Sequence, residues 1–311
     1  MPSNTAAVPL NVRTADGETM QRAPNVWDRL LKNSRSLTAI AILFFMLLLA
    51  LAAGTLAPYD FAEQLRGREH LTPSSGHFFG TDVLGRDILS RVMYGARVSL
   101  MIGLSATVLS LVIGVTLGLC AGYFGGRIDD VIMRFTDTIS AFPTLLLAVA
   151  ITALYKPSPS DGADVLVLNA SFWKVFIALG VVGWTSIARV VRAQVLTIKT
   201  LDYVTAARAL GGDSIRIMFL HVLPNCWSPI IVLATLSIGG NILGEAGLSF
   251  LGLGIKDPFP SWGGMLSDSK SYFKDHWWLA VFPGMAIVLT VLSFNLLGDG
   301  LRDALDPKAR K

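Results

Sequence analysis

Long apolar runs alternating with short polar or turn-rich connections dominate this chain, and their lengths predict its elements. A membrane-spanning helix needs about 20 mainly apolar residues. Leu37–Leu56 meets that length and ends at Pro58, and Val98–Gly126 carries no charge and closes on "GYFGG". Thr138–Tyr155 is interrupted by Pro143, which is expected to kink it, and is followed by the turn-rich "KPSPSDG". Val175–Ala188 is short by itself, so Lys174, Arg189 and Arg192 are expected near its ends, snorkelling toward headgroups. Ser228–Leu251 contains one acid, Glu245, and Trp277–Leu297 opens on a tryptophan pair and runs into "GDGLRDALDPK". The pattern predicts an all-α membrane protein with about six transmembrane helices. It divides into a polar tail (1–36), a first helix with its outer loop (37–97), a core of five helices (98–300) and a short tail (301–311).

One polar stretch inside the core has helical rather than alternating period. In "DYVTAARALGGDSIRIMFLHVLPN" (202–225), Tyr203, Ala206, Ala207 and Leu210 share one face, and Ile215, Met218, Phe219 and Val222 share another. Gly211–Gly212 breaks the first helix, Asp213 or Ser214 caps the second, and Pro224 is expected to stop it. The small residues Ala206, Ala207 and Gly211 leave a surface that another protein can approach closely; the alternative is a loop resting on lipid headgroups.

Composition agrees with the pattern. Hydrophobic residues make up 52% and charged ones 15% of the 311 residues, against about 25% charged in a soluble domain. The net charge of +4 points to no nucleic acid, because the basic residues sit beside apolar runs and not interleaved with aromatics. With the N-terminus inside, 16 of the 26 Lys and Arg residues fall on inner segments and 10 on outer ones, which predicts cytoplasmic termini. A removable leader is not expected, since the first 36 residues hold no apolar core with a cleavage site. Cys120 and Cys226 fall at different depths and are expected to remain unpaired.

Candidate chemistry is sparse. There is no phosphate-cradling G-x-x-x-x-G-K-[ST] and no G-x-S-x-G, and all four histidines lie outside the spans, so neither an ATPase site nor an intramembrane hydrolase is expected. Asn241, Glu245 and Ser249 recur every four residues and share a helix face. Glu245 reads either as a hydrogen-bonded tie between helices or as a carboxylate lining a pathway, and a gradient-driven carrier would use it as an ion site.

The 202–225 stretch resembles the cytoplasmic signature of ATP-binding-cassette importer permeases: Thr205-Ala206-Ala207, then Gly211, then His221-Val222-Leu223-Pro224, with both spacings kept. Thr205 and His221 depart from the Glu and Ile of that signature. "FFGTDVLGRDILSRVMYGARVSL" (78–100), "GYFGGRIDDVIMRFTD" (122–137), "LSFLGLG" (248–254) and "FNLLGDGLRDALDPK" (294–308) are similar to the C-type permease subunit of dipeptide and oligopeptide importers, a subfamily that includes nickel and glutathione importers. The resemblance implies a type I importer permease in a bacterial inner membrane, with a coupling loop at 200–224. It further implies a homologous second permease, two ATPase subunits holding ATP and Mg2+, an external substrate-binding protein, and no cofactor on this chain. Tyr203, Ala206, Ala207, Arg208, Gly211, Asp213 and Pro224 are then the coupling residues. Pro143, Asn241, Glu245 and Ser249 are candidate pathway residues, and the outer loops at 76–87 and 255–268 face the gate and the binding protein.

Overall fold

The computed structural model describes residues 26–154 and 170–305. Most of the 1–36 tail, Tyr155 with the "KPSPSDG" turn, and residues 306–311 lie outside the described residues. Five helices are long and apolar enough to cross a membrane by themselves, or six if one sharply bent pair forms a single span. In chain order the helices are α1 (Val26–Lys32), α2 (Ser34–Leu56), α3 (Ile88–Phe124), α4 (Gly126–Ser140), α5 (Thr144–Leu154), α6 (Ala170–Ile198), α7 (Asp202–Ala209), α8 (Ser214–Ile217), α9 (Trp227–Phe250), α10 (Trp262–Ser269) and α11 (Trp278–Leu305).

The second span starts ten residues before Val98, so the expected division at 97/98 falls inside α3. Asp87 causes the early start: its carboxylate accepts from Ser90 N, capping the helix, and is itself held by His77 Nδ1 at 2.9 Å. Two arginines are thereby carried onto the helix. Arg97 donates to the Ala50 and Leu51 carbonyls near the end of α2, while Arg91 lies among the carboxylates of Asp82 and Asp257. These charges have partners, so they do not need the aqueous loop that the sequence pattern assigned them.

The core is built on α3 crossing α6, with α9 and α11 packed alongside and α2 outside α11. Gly114, Gly118 and Gly122 recur every fourth residue along α3 and let its backbone lie on α6. A Cβ on them would fall 2.7 Å from Ile187, 2.6 Å from the Ala188 carbonyl oxygen and 2.7 Å from Val195. Small residues at a crossing are what allows close helix packing where the surroundings are as apolar as the side chains.

The expected third span does not exist as one kinked helix. Gly126–Ser140 and Thr144–Leu154 are separate helices bent by 87° at the intervening residues. Pro143 precedes the first residue of α5, where its carbonyl accepts from Leu147 N. It opens a helix and does not interrupt one. The 11 described residues of α5 span about 16 Å, and the chain after Leu154 lies outside the described residues. The arginines in the second half of α6 have protein partners: Arg192 makes a paired contact with Asp129, and Arg189 reaches Asp137 at 3.0 Å. Both acids stand on one face of α4, so this pairing clamps α4 against α6.

Candidate coupling hairpin and inner carboxyl

The α7–α8 hairpin forms where the sequence places it. Gly211 has φ +80°, a conformation only glycine takes without strain, and reverses the chain after α7. The Asp213 carboxylate accepts from the N–H groups of Ile215 and Arg216, so Asp213 and not Ser214 caps α8. Pro224 does not stop the second helix. A wide π turn (Met218–Val222) and a tight 3-10 turn (Leu223–Cys226) follow α8 directly and carry it into α9. Proline is tolerated because it sits in the first turn of the 3-10 segment, where no partner for its missing N–H is required.

The inward face of the hairpin is Val204, Ile217, Met218, Val222 and Cys226, all buried against the ends of α3 and α6. The expected second face therefore splits: Met218 and Val222 are buried, while Ile215 and Phe219 are exposed. Ile215 lies in α8 ahead of the π turn, which itself places an extra residue between the buried Ile217 and Val222. Arg208, itself exposed, sets its guanidinium over the Tyr123 ring at 5.6 Å. Ala206 is exposed and Ala207 half-buried. The outward surface is apolar, made of Leu201, Tyr203, Leu210, Ile215, Phe219 and Leu220, with Leu210 89% exposed. Sequence periodicity found Tyr203 and Leu210 but missed Leu220, because the π turn breaks the period.

Asn241, Glu245 and Ser249 do share one face of α9, and it points into the chain. Asn241 donates to Thr107 on α3 at 2.9 Å. Glu245 is fully buried, accepting from Ser249 Oγ at 2.6 Å and Ser99 Oγ at 3.4 Å. Trp262 N donates in turn to Ser99 Oγ, tying α10 to the same cluster. Among the described residues Glu245 has no ion pair, and it joins α3, α9 and α10 through hydroxyls. The other side of α9 lines an open apolar groove of about 650 Å³, floored by Gly240, Gly244 and Gly247 and walled by Leu145, Leu266 and Val288. Gly240 has nothing within 4 Å of where a Cβ would stand, so this chain's own packing does not require a glycine there. Pro143 is exposed at the bend beside this groove. Cys120 and Cys226 are both free, and no group of three metal-ligating side chains occurs among the described residues.

A family model described as the binding-protein-dependent transport system inner membrane component matches residues 114–311, and one described as the N-terminal TM domain of oligopeptide transport permease C matches residues 24–73. The chain is 44% identical over 290 residues to a di/tripeptide transport system permease protein of Pseudomonas aeruginosa, covering 91% of each. It is 45% identical over 291 residues to the dipeptide transport system permease protein of Escherichia coli, covering 92% of this chain and 93% of that one. A glutathione transport system permease protein of Pectobacterium atrosepticum is 42% identical over 288 residues, at 91% and 90% coverage. Among solved structures, the MetNI methionine transporter in an inward-facing conformation aligns with a TM-score of 0.55 at 18% identity, over 70% of this chain and 97% of that one. That likeness bears on the fold.

Proposed function

This chain belongs to the family of binding-protein-dependent transport system inner membrane components, and from that premise we propose that it is a permease subunit through which a bacterium imports di- and oligopeptides. The chain is a multi-pass inner-membrane protein, and its relatives are transport permeases. In our reading both termini are cytoplasmic, a homologous second permease completes the pathway, and an external binding protein delivers the peptide. ATP and Mg2+ act on two separate ATPase subunits.

The observation that carries this reading is the exposed apolar hairpin continuous with α9. ATPase subunits that close on ATP would grip Tyr203, Leu210, Ile215 and Phe219, and the movement would pass without a flexible joint through the π and 3-10 turns into α9. Ala206 and Gly211 keep the surface low, Asp213 fixes the second helix, and Pro224 opens the tight turn. Arg208 supports the hairpin through Tyr123. The groove floored by Gly240 and Gly247 is the face we assign to the second permease and the pathway, with Pro143 at its bend. Asn241, Glu245 and Ser249 brace that wall from inside.

Purification of the tagged chain from its native operon tests the reading. A second permease and ATPase subunits should copurify, and Leu210→Asp should lose the ATPases while keeping the permease. Purification of the wild-type chain alone would refute the coupling role, and ligands captured on the associated binding protein would identify the peptide class.

A further inference from the structure

At the end of α9 farthest from the hairpin lies a second, polar cavity of about 170 Å³, lined by Arg91, Ser249, Asp257, Ser261, Ser267 and Asp268 among others. Its floor leads directly to Glu245. Ser249 Oγ donates to the Glu245 carboxyl at 2.6 Å and stands 3.5 Å from Ser261 Oγ, and both serines are more than nine-tenths buried. Its mouth is marked by the half-exposed carboxylates of Asp257 and Asp268, 63% and 47% exposed.

Hydrogen-bonding geometry independently calls for water in this space. The Arg91 side chain is 3% exposed, and its Nη1 donates to the Phe61 carbonyl at 3.2 Å. Its other nitrogens stop short: Nε is 3.7 Å from Asp82 and Nη2 is 3.7 Å from Asp257, while Arg86 Nη2 is 3.8 Å from Asp268. Of these contacts Arg91–Asp257 has both partners on the cavity wall and Arg86–Asp268 has one; both fall beyond hydrogen-bond length, the spacing at which a bridging water belongs. A buried guanidinium with unpaired N–H groups is costly unless water supplies acceptors. A water needs only about 10–15 Å³ of such volume and two to four polar partners, and the cavity offers both several times over.

We propose that this cavity is a water-filled well that keeps the Glu245 carboxyl in proton exchange with the aqueous phase, making Glu245 a proton-binding site. The carboxylate takes a proton from a well water bridged by the Ser249 and Ser261 hydroxyls, and that water is restored by one from the mouth. The charged groups around the well are Asp82 and Arg86 before α3, Arg91 on α3, Lys256 and Asp257 after α9, and Asp268 on α10; Glu245 pairs with none of them. At the mouth, burial together with neighbouring Asp257 and Asp82 holds Asp268 above the ordinary carboxylate range, which suits it to pass protons. Only the sidedness rests on the importer reading, which puts the mouth outside the cell; the exchange itself is independent of it.

Infrared difference spectroscopy on the purified assembly in lipid nanodiscs tests this. Subtracting Glu245→Gln from wild type across a pH titration should isolate one protonated-carboxyl band. That band should move to lower frequency within the mixing time of transfer into D2O. Ser249→Ala should shift the band, and filling the well by Ser267→Leu should slow its exchange. The absence of any titrating band lost in Glu245→Gln, or a band that exchanges only as slowly as core amides, would overturn the proposal. Neither result depends on whether ATPase subunits dock.

Discussion

Replacing Gly118 and Gly240 by alanine separates two reasons for a helix to carry glycine. At Gly118 the new Cβ would lie 2.6 Å from the Ala188 carbonyl oxygen, where ordinary contact begins at 3.4 Å, so α3 and α6 must part locally by about 0.8 Å. The obstacle is backbone and cannot rotate aside. Overpacking of this kind costs about 1–3 kcal/mol, while alanine recovers about 1 kcal/mol of helix propensity. The net expectation is a loss of up to about 2 kcal/mol. Gly240 has open space around its Cβ position, so Gly240→Ala should gain about 0.5–1 kcal/mol. The assay is the unfolding midpoint of each purified chain in detergent, followed by tryptophan fluorescence. Opposite shifts are expected, and a rise of equal size in both would refute the close-packing argument. In the assembled complex Gly240→Ala carries further information: a chain that is more stable alone but assembles less well has an occupied groove.

At the hairpin, Gly211→Leu forces a branched residue to φ +80° and should cost roughly 1–2 kcal/mol locally, measured as a large fall in ligand-stimulated ATP hydrolysis with membrane insertion unchanged. Single cysteines at Ser214 and Ser271, both exposed, should label from opposite sides of the membrane in a background lacking Cys120 and Cys226; labelling of both from one side would break the topology. His70 stacks on His276 at 4.2 Å and 14°, and burial, with His276 next, lowers its pKa. The folded loop thus favours the neutral ring, so the stacking contribution is full above the ordinary histidine value of about 6.5 and is lost as pH falls through the lowered one. Amide exchange at Leu71 and Thr81 should quicken on acidification in wild type and show a weaker dependence in His276→Gln, where burial still lowers the His70 pKa; an unchanged wild-type profile would contradict it.

Much of this architecture is legible in the sequence because lipid imposes one rule, an unbroken apolar helix of fixed length. Five of the six expected spans, beginning at Leu37, Val98, Val175, Ser228 and Trp277, lie within observed helices to within two residues. Errors cluster where a charge finds a partner far along the chain. Arg91 reads as a loop residue until Asp82 and Asp257 are seen beside it, and Arg192 reads as a snorkelling end until Asp129 meets it. Prolines mislead for a related reason: Pro143 stands just before a helix and Pro224 in a first turn, where proline is harmless, and sequence alone cannot tell those positions from a helix interior. The hairpin was readable from Gly211 and Asp213, whose roles are local. The orientation of Glu245 was not, because whether a polar stripe faces a pathway or its own chain is set by Ser99 on a helix 146 residues away.

The run of buried residues Ile217, Val222, Cys226 and Ile230 steps by five and then twice by four, and the single long step is the π turn. One residue therefore sets the angular phase between the hairpin and α9. Removing it would restore a uniform helix, and since successive residues are separated by about 100° around an α-helix, Leu210 and Ile215 would swing through roughly that angle about the α9 axis. Insertions or deletions between Met218 and Val222 thus act as a dial on where the docking face points. Two such permeases could share every contact residue and still require differently shaped partners.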